Sequence, residues 1–261
     1  MNRIKHLRET NPLVVCVTND VVKNFTANGM LAVGASPIMS GEKSEAEDLM
    51  KAASGLLINI GTADEMKKDL MSKMISEANR NGVPVVFDPV GYGASKFRST
   101  LTDTFLDTYR IDLIKGNAGE MLALSGAESE LKGVDSSEKT DTLEIAEAVY
   151  DKFQVPVLVT GERDALVTGD RKAVMTDGHG LQGKITGSGC LAGAMAAAFI
   201  GIEQPFNSQS VVDAVSFYNL CAEAAVESTR IPAPGTFPAN LIDQLYLNEN
   251  DILSDKKVEV L

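Results

Sequence analysis

Positive charge is what this chain has least of for its size. Against 36 Asp+Glu stand only 24 Lys+Arg, a formal net charge of −12 over 261 residues. That deficit excludes nucleic acid and anionic membrane as partners, because binding either rests on Lys and Arg. It leaves room for one small phosphorylated ligand, which backbone N–H groups and a metal ion can hold locally. Cysteine is scarce as well. Cys16, Cys190 and Cys221 are odd in number and far apart, so they form neither a disulfide framework nor zinc-ligand spacing. A reducing, cytoplasmic setting is expected. The first residues lead into Glu9 and Pro12 without the apolar core of a signal peptide. The longest apolar run, 191–202, is about a dozen residues, too short to span a bilayer. There is no internal repeat, no linker and no Gly-x-x-x-x-Gly-Lys-Ser/Thr, which excludes a P-loop nucleotide site.

What is there is core-forming. The chain is 44% hydrophobic with 22 Gly, enough to bury a large core. Short β-branched runs at 13–17, 36–39, 55–60, 83–87, 112–114 and 155–159 read as strands. Helical patterns lie between them at 21–33, 45–53, 64–78, 97–109, from 118, and at 141–153. Segments 165–168 and 172–176 flank Gly169-Asp170 as a hairpin. After Gly187 only helices are expected, at 188–201, 208–228 and 238–248, with a surface loop at 131–140 and a frayed tail after about 250. This order predicts one α/β domain over 1–261, with a mostly parallel central sheet and helices on both faces.

In such sheets ligands bind beyond the carboxyl ends of the strands. Three strands end in glycine with polar or acidic residues: Asp88-Pro89-Val90-Gly91, Lys115-Gly116-Asn117-Ala118-Gly119-Glu120 and Thr160-Gly161-Glu162. Asp88 and Glu120 suit a hydrated Mg²⁺, which takes one or two carboxylates together with substrate phosphates. Alone, each also reads as turn chemistry, and Glu120 as a residue favoured by a helix dipole. The sharpest feature is Thr186-Gly187-Ser188-Gly189-Cys190 running into Leu191-Ala192-Gly193-Ala194. A glycine turn entering a small-residue helix makes an anion cradle of backbone N–H groups; close helix packing is the plainer alternative. Gly187-Ser188-Gly189-Cys190-Leu191-Ala192 also fits G-x-G-x-x-A, but no βαβ unit follows, so the dinucleotide reading is rejected. Cys190 sits in a first helical turn, which should lower its pKa. It is open to three roles: nucleophile, proton acceptor or packing residue. Nothing in the sequence sets either histidine, His6 or His179, beside it. Cys16 and Cys221 read as core.

These residues together resemble the hydroxyethylthiazole kinase family of the ribokinase-like superfamily. The resemblance covers roughly 10–248. It is carried by Asn11-Pro12-Leu13-Val14, Thr18-Asn19, Asn24-Phe25-Thr26-Ala27-Asn28-Gly29 and Gly34-Ala35-Ser36-Pro37-Ile38-Met39. It continues through Asp88-Pro89-Val90-Gly91, Gly116-Asn117-Ala118-Gly119-Glu120, Thr160-Gly161-Glu162, Gly187-Ser188-Gly189-Cys190 and Gly235-Thr236-Phe237. It implies a three-layer ribokinase-like fold and ATP-dependent phosphorylation of 4-methyl-5-(2-hydroxyethyl)thiazole for thiamine biosynthesis or salvage. It also implies Mg²⁺ and a homotrimer with sites at subunit interfaces. By position, Met39, Gly187 and Asn19 would meet the thiazole; Lys115, Thr160 and Asn117 would meet ATP; Asp88 and Glu120 would organise Mg²⁺. Gly187, Ser188 and Gly189 would form the anion hole, with Cys190 where related kinases carry a general-base Asp. Lys115 stands where the family usually has Arg, and Val15 and Asp20 where it has His and Tyr. The alternatives are a ribokinase-like kinase of hydroxymethylpyrimidine or pyridoxal, or a Cys190-dependent hydrolase.

Overall fold

The computed structural model describes residues 2–126 and 141–261; the expected loop at 131–140 lies outside them. The elements run α1 (Arg3–Thr10), β1 (Leu13–Val17), α2 (Lys23–Val33), β2 (Ser36–Ile38), α3 (Ala46–Ala52), β3 (Gly55–Asn59), α4 (Glu65–Asn81) and β4 (Val85–Asp88). They continue with α5 (Lys96–Thr108), β5 (Leu113–Asn117), α6 (Ala118–Ser125), α7 (Thr142–Phe153), β6 (Val157–Thr160), β7 (Asp164–Val167) and β8 (Lys172–Met175). The last are α8 (Ser188–Gly201), α9 (Ser208–Glu227), α10 (Phe237–Leu247) and β9 (Val258–Val260).

All nine strands form one sheet in the order β2-β1-β3-β4-β5-β6-β7-β8-β9. Strands β1 to β6 pair in parallel and β6 to β9 antiparallel. Strand alternation divides the core between the two faces. Val14, Cys16, Leu57, Val86 and Leu158 pack with α1, α2, α8, α9 and α10. Their neighbours Val15, Val17, Leu56, Ile58 and Phe87 pack with α3 to α7. The expected three layers and the hairpin at Gly169-Asp170 are thus present. Helix α8 is buried on nearly every side, and its alanines and glycines let it lie close on the sheet. Cys16 and Cys221 are fully buried core residues. Among the described residues no helix is long and apolar enough to cross a membrane.

The structure departs from the sequence reading at several points. A helix, α1, precedes the first strand. The Asn2 side chain caps it by accepting from the Lys5 N–H, and Ile4 and Leu7 bury one face. Strands β4 and β6 begin two residues later than their apolar runs, at Val85 and Val157, since Pro84 and Pro156 lack the N–H a ladder needs. Strand β5 runs on through Asn117. Chain after about 250 is not frayed, and it is not all helical after Gly187. A 3₁₀ turn (Asn250–Asp255) leads into β9, which pairs with β8 at the sheet edge. Short alternating tails take a strand partner only when an open edge is offered, and the sequence does not show the edge.

Candidate active site

The sheet reverses its order of growth at β1, with β2 on one side and β3 on the other. Ligands of open α/β sheets bind at such a switch point. Here β3 and β4 end side by side in Asn59 and Asp88, which face each other in register. Helix α8 starts above them. Its N-cap, Gly187, sits at φ +95°, a left-handed conformation costly for any residue with a Cβ. No side chain caps this helix, and its first internal bond is Leu191 N–H to Gly187 C=O at 2.9 Å. The N–H groups of Ser188, Gly189 and Cys190 therefore have no carbonyl to reach within the helix and carry its positive end.

A buried ion pair lies beneath that turn. Asp88 Oδ2 accepts from Asn59 Nδ2 at 2.8 Å and faces Lys115 Nζ at 3.4 Å. Burial pushes the Asp88 carboxyl up to about 6, against the pull of Lys115. Burial works hardest against the Lys115 ammonium, but Asp88, Cys190 and Glu120 together outweigh it and the net direction is up. Coulomb attraction at 3.4 Å is worth about 5 kcal/mol at an effective dielectric of 20. Desolvating each ion costs several kcal/mol, so such a pair adds little net stability. Moreover, Asp88 Oδ1 is buried with no hydrogen-bond partner. A bare carboxylate oxygen next to an anion cradle suits a hydrated Mg²⁺, which needs only one or two carboxylates. A Cβ on Gly189 would stand 2.9 Å from Lys115 Nζ, so the ammonium would have to shift.

Lys115, Asn117, Glu120 and Thr160 line one cavity of about 710 Å³ together with Asp88 and Cys190. Their side chains also hold the rim together. Asn117 and Glu120 form a capping box on α6, and the other Glu120 oxygen accepts from Gly91 N–H at 2.9 Å. Glu120 thus pins the loop after β4 to the turn after β5. Thr160 Oγ1 donates to Gly116 C=O at 3.2 Å. Arg98, from α5, clips the loops after β3 and β4 by donating to the carbonyls of Ile60, Gly61 and Val90, each at 2.7 Å.

The cavity's far wall was not legible in the strand ends. Asn219 from α9 donates to Asp164 Oδ2 at 2.7 Å and accepts from Gln182 Nε2 at 3.0 Å. Burial pushes Asp164 up to about 6 although Gly161 N–H and Asn219 both donate to it. Two signals were available: an Asn inside a helix that is apolar on most sides, and Asn59 at the end of an apolar strand.

Cys190 corrects the expectation of a lowered pKa. Its thiol is pushed up to about 11, first by burial and then by the charge of Asp88. The lowering pull of Lys115 and of the Asn19 and Asn59 N–H donors does not offset these. Its sulfur accepts from Asn19 Nδ2 at 3.4 Å and from Asn59 Nδ2 at 3.3 Å. Neither histidine joins it: His6 lies by Thr10 on α1, and His179 Nδ1 accepts from Leu181 N–H. A Cys190 hydrolase therefore has no histidine base at hand among the described residues. The Ser188 hydroxyl is engaged with Tyr218 OH at 2.8 Å, leaving Ser188 its backbone N–H for an anion. Met39, Asn19 and Gly187 are not among the residues lining this cavity. Asn19 reaches it through Cys190, Gly187 precedes its wall, and Met39 lies past β2, packed on the core.

Comparison with known proteins agrees with this geometry. The model of the hydroxyethylthiazole kinase family matches residues 4–250. The chain is 42% identical over 246 residues to a hydroxyethylthiazole kinase of Staphylococcus saprophyticus, covering 94% of each chain. It superposes on a hydroxyethylthiazole kinase of Pyrococcus horikoshii with a TM-score of 0.86 at 36% identity, over 99% of this chain and 97% of the other. A ribokinase-like superfamily protein of Enterococcus faecalis, 13% identical with a TM-score of 0.67 over 93% and 88%, shares the fold.

Proposed function

The chain belongs to the hydroxyethylthiazole kinase family, and from that premise we propose that it transfers the γ-phosphoryl group of ATP to the hydroxyl of 4-methyl-5-(2-hydroxyethyl)thiazole. The observation that carries this reading is the uncapped N-terminus of α8 set over the Asp88–Lys115 pair. Donors, a cation and a bare carboxylate oxygen converge on one cavity, as phosphoryl transfer requires. The N–H groups of Ser188, Gly189 and Cys190 are aimed at the charge that develops on the moving phosphoryl group. Lys115, beneath Gly189, adds a fixed positive charge. Lys115, Asn117 and Thr160 line the cavity on the nucleotide side. Asp88 and Glu120 would hold Mg²⁺, which when bound offsets the phosphate charge.

Cys190 is a neutral thiol at pH 7, its pKa being pushed up to about 11. We assign it no early deprotonation. A loose transition state asks for little, and the hydroxyl proton leaves late. The thiazole itself belongs on the Asn19 and Met39 side of Cys190. A homotrimer fits there: β2 is an open sheet edge, and α2 and α10, which pack together, expose Leu31, Tyr246 and Leu247. A second copy on that face would complete the pocket around Met39. The enzyme's place is the cytoplasm, in thiamine biosynthesis or salvage.

The test is direct. The protein is incubated with Mg-ATP and a panel of thiazole, pyrimidine and pyridoxine alcohols, and the phosphorylated product is identified by mass. Turnover of another alcohol with none of the thiazole overturns the assignment. Light scattering of the eluting protein gives the mass; a monomer overturns the trimer.

A further inference from the structure

Asn59 has no part in the reading above, yet it touches both halves of the site. It is the last residue of β3 and fully buried. Its Nδ2 donates to Asp88 Oδ2 at 2.8 Å and to the Cys190 sulfur at 3.3 Å. Its Oδ1 accepts from Asn19 Nδ2 at 3.2 Å and from Gly61 N–H at 3.0 Å. Both donors and both acceptors have partners. The amide has one orientation only, because a flip would press Oδ1 against a carboxylate oxygen and a sulfur, and its NH₂ against two other donors.

We propose that Asn59 is a positioning residue that fixes the Cys190 sulfur and the Asp88 carboxylate relative to each other, and so aligns the acceptor alcohol with the phosphoryl group. This rests on the kinase reading. The bond to Asn59 and the contact with Lys115 both fall on Asp88 Oδ2, which is why Oδ1 remains bare and directed away from them. With Asn19, the same amide gives the sulfur two N–H donors, so the Cys190 side chain is held from two directions. A residue serving only the fold has no need to join groups from the loop after β1, from β3, from β4 and from α8 beside the switch point. A positioning residue there does, since misplacing reacting groups by about 1 Å can cost about 10²-fold.

The experiment is a double-mutant cycle of Asn59→Ala with Cys190→Ala, read as kcat, KM and melting temperature with the thiazole alcohol and Mg-ATP. ADP binding is measured by calorimetry without metal. The expected result is a kcat about 10- to 100-fold lower for Asn59→Ala, with both KM values and ADP affinity within about threefold. In the Cys190→Ala background the same substitution should cost less than about a third of that factor, because coupled residues are non-additive. An equal factor in both backgrounds, or a folded Asn59→Ala with wild-type kcat, overturns the role. Should Asn59→Ala not fold, Asn59→Ser, which keeps a donor toward one partner only, is read by the same criteria. Wild-type protein that leaves the thiazole alcohol untouched overturns the kinase reading, and this role with it; wild-type turnover with uncoupled variants overturns this role alone.

Discussion

Two clusters of buried charge among the described residues, one around Arg3 and one around Asp88, are built on opposite plans. In one, Arg3 of α1 meets Glu203 and Asp213, and Lys256 closes the group on Asp213. Every carboxylate oxygen there has a donor, with Ser210, Asn207 and Gln209 adding theirs. The Arg3 guanidinium, helped by these donors, holds the Glu203 carboxyl down at about 2. In the other cluster Asp88 has one oxygen with partners and one with none, and burial drives it up to about 6. The first joins an N-terminal helix, α9 and the C-terminal tail. The second weakens the fold as it ionises and leaves an acceptor oxygen bare. Satisfied charge marks a structural tie; unsatisfied charge, at a switch point under a helix N-terminus, marks chemistry.

The contrast can be broken most directly by removing one charge from each cluster. Asp88→Asn should lower kcat/KM by about 10²–10³-fold, the scale of losing one preorganised electrostatic group. Arg3→Met should instead remove about 3 kcal/mol of stability, by leaving two carboxylates without their shared cation, while kcat below the melting temperature stays near wild type. Equal loss of activity in both would erase the distinction. Gly189→Ala should come next. Its Cβ would displace the Lys115 ammonium, whose far end is flexible, so kcat should drop about 10-fold with a small change in melting temperature.

A pH series separates the clusters without mutation. In the proposed role Asp88 acts ionised, so kcat/KM should fall about tenfold per unit as pH drops below about 6. Because its folded pKa is raised, the contribution of Asp88 to stability runs the other way and diminishes as pH rises through the same range. Glu203 has a depressed pKa, so its stability is present above about 4.5 and is lost as pH falls toward about 2. Activity should thus vanish well before the Arg3 cluster loosens; melting curves at each pH check the second limb. The smallest effect is expected at Cys190. Cys190→Ala should lower kcat only a few-fold, and Cys190→Asp should retain or raise it, because Asn19 and Asn59 already point two N–H donors at that position. Complete loss in both variants would point to covalent chemistry.

Much of the site was legible as residues, far less as contacts. Asp88, Lys115, Asn117, Glu120, Thr160 and the Gly187–Cys190 turn follow strand ends or open a helix, positions that sequence pattern locates, and all but Gly187 line one cavity. The roles given to single residues were less secure. Glu120 looked like a metal carboxylate, and its oxygens also accept from the Asn117 and Gly91 N–H groups. Cys190 looked activated by its helix, and burial beside Asp88 reversed the direction. Asn59 and Asn219 carry no pattern of their own, because a buried amide is defined by its partners and these come from distant parts of the chain.

The sequence by itself determined the alternation of strands and helices, the parallel sheet, the glycine turn and the acidic surplus that excludes polyanions. These rest on local propensity and on short-range pattern, which travel with the chain. The tertiary structure decided which charges find partners and which do not. Desolvation and pairing depend on what packs against a group from distant parts of the chain, and that is why one buried carboxylate became part of a tie and another was left bare beneath a helix end.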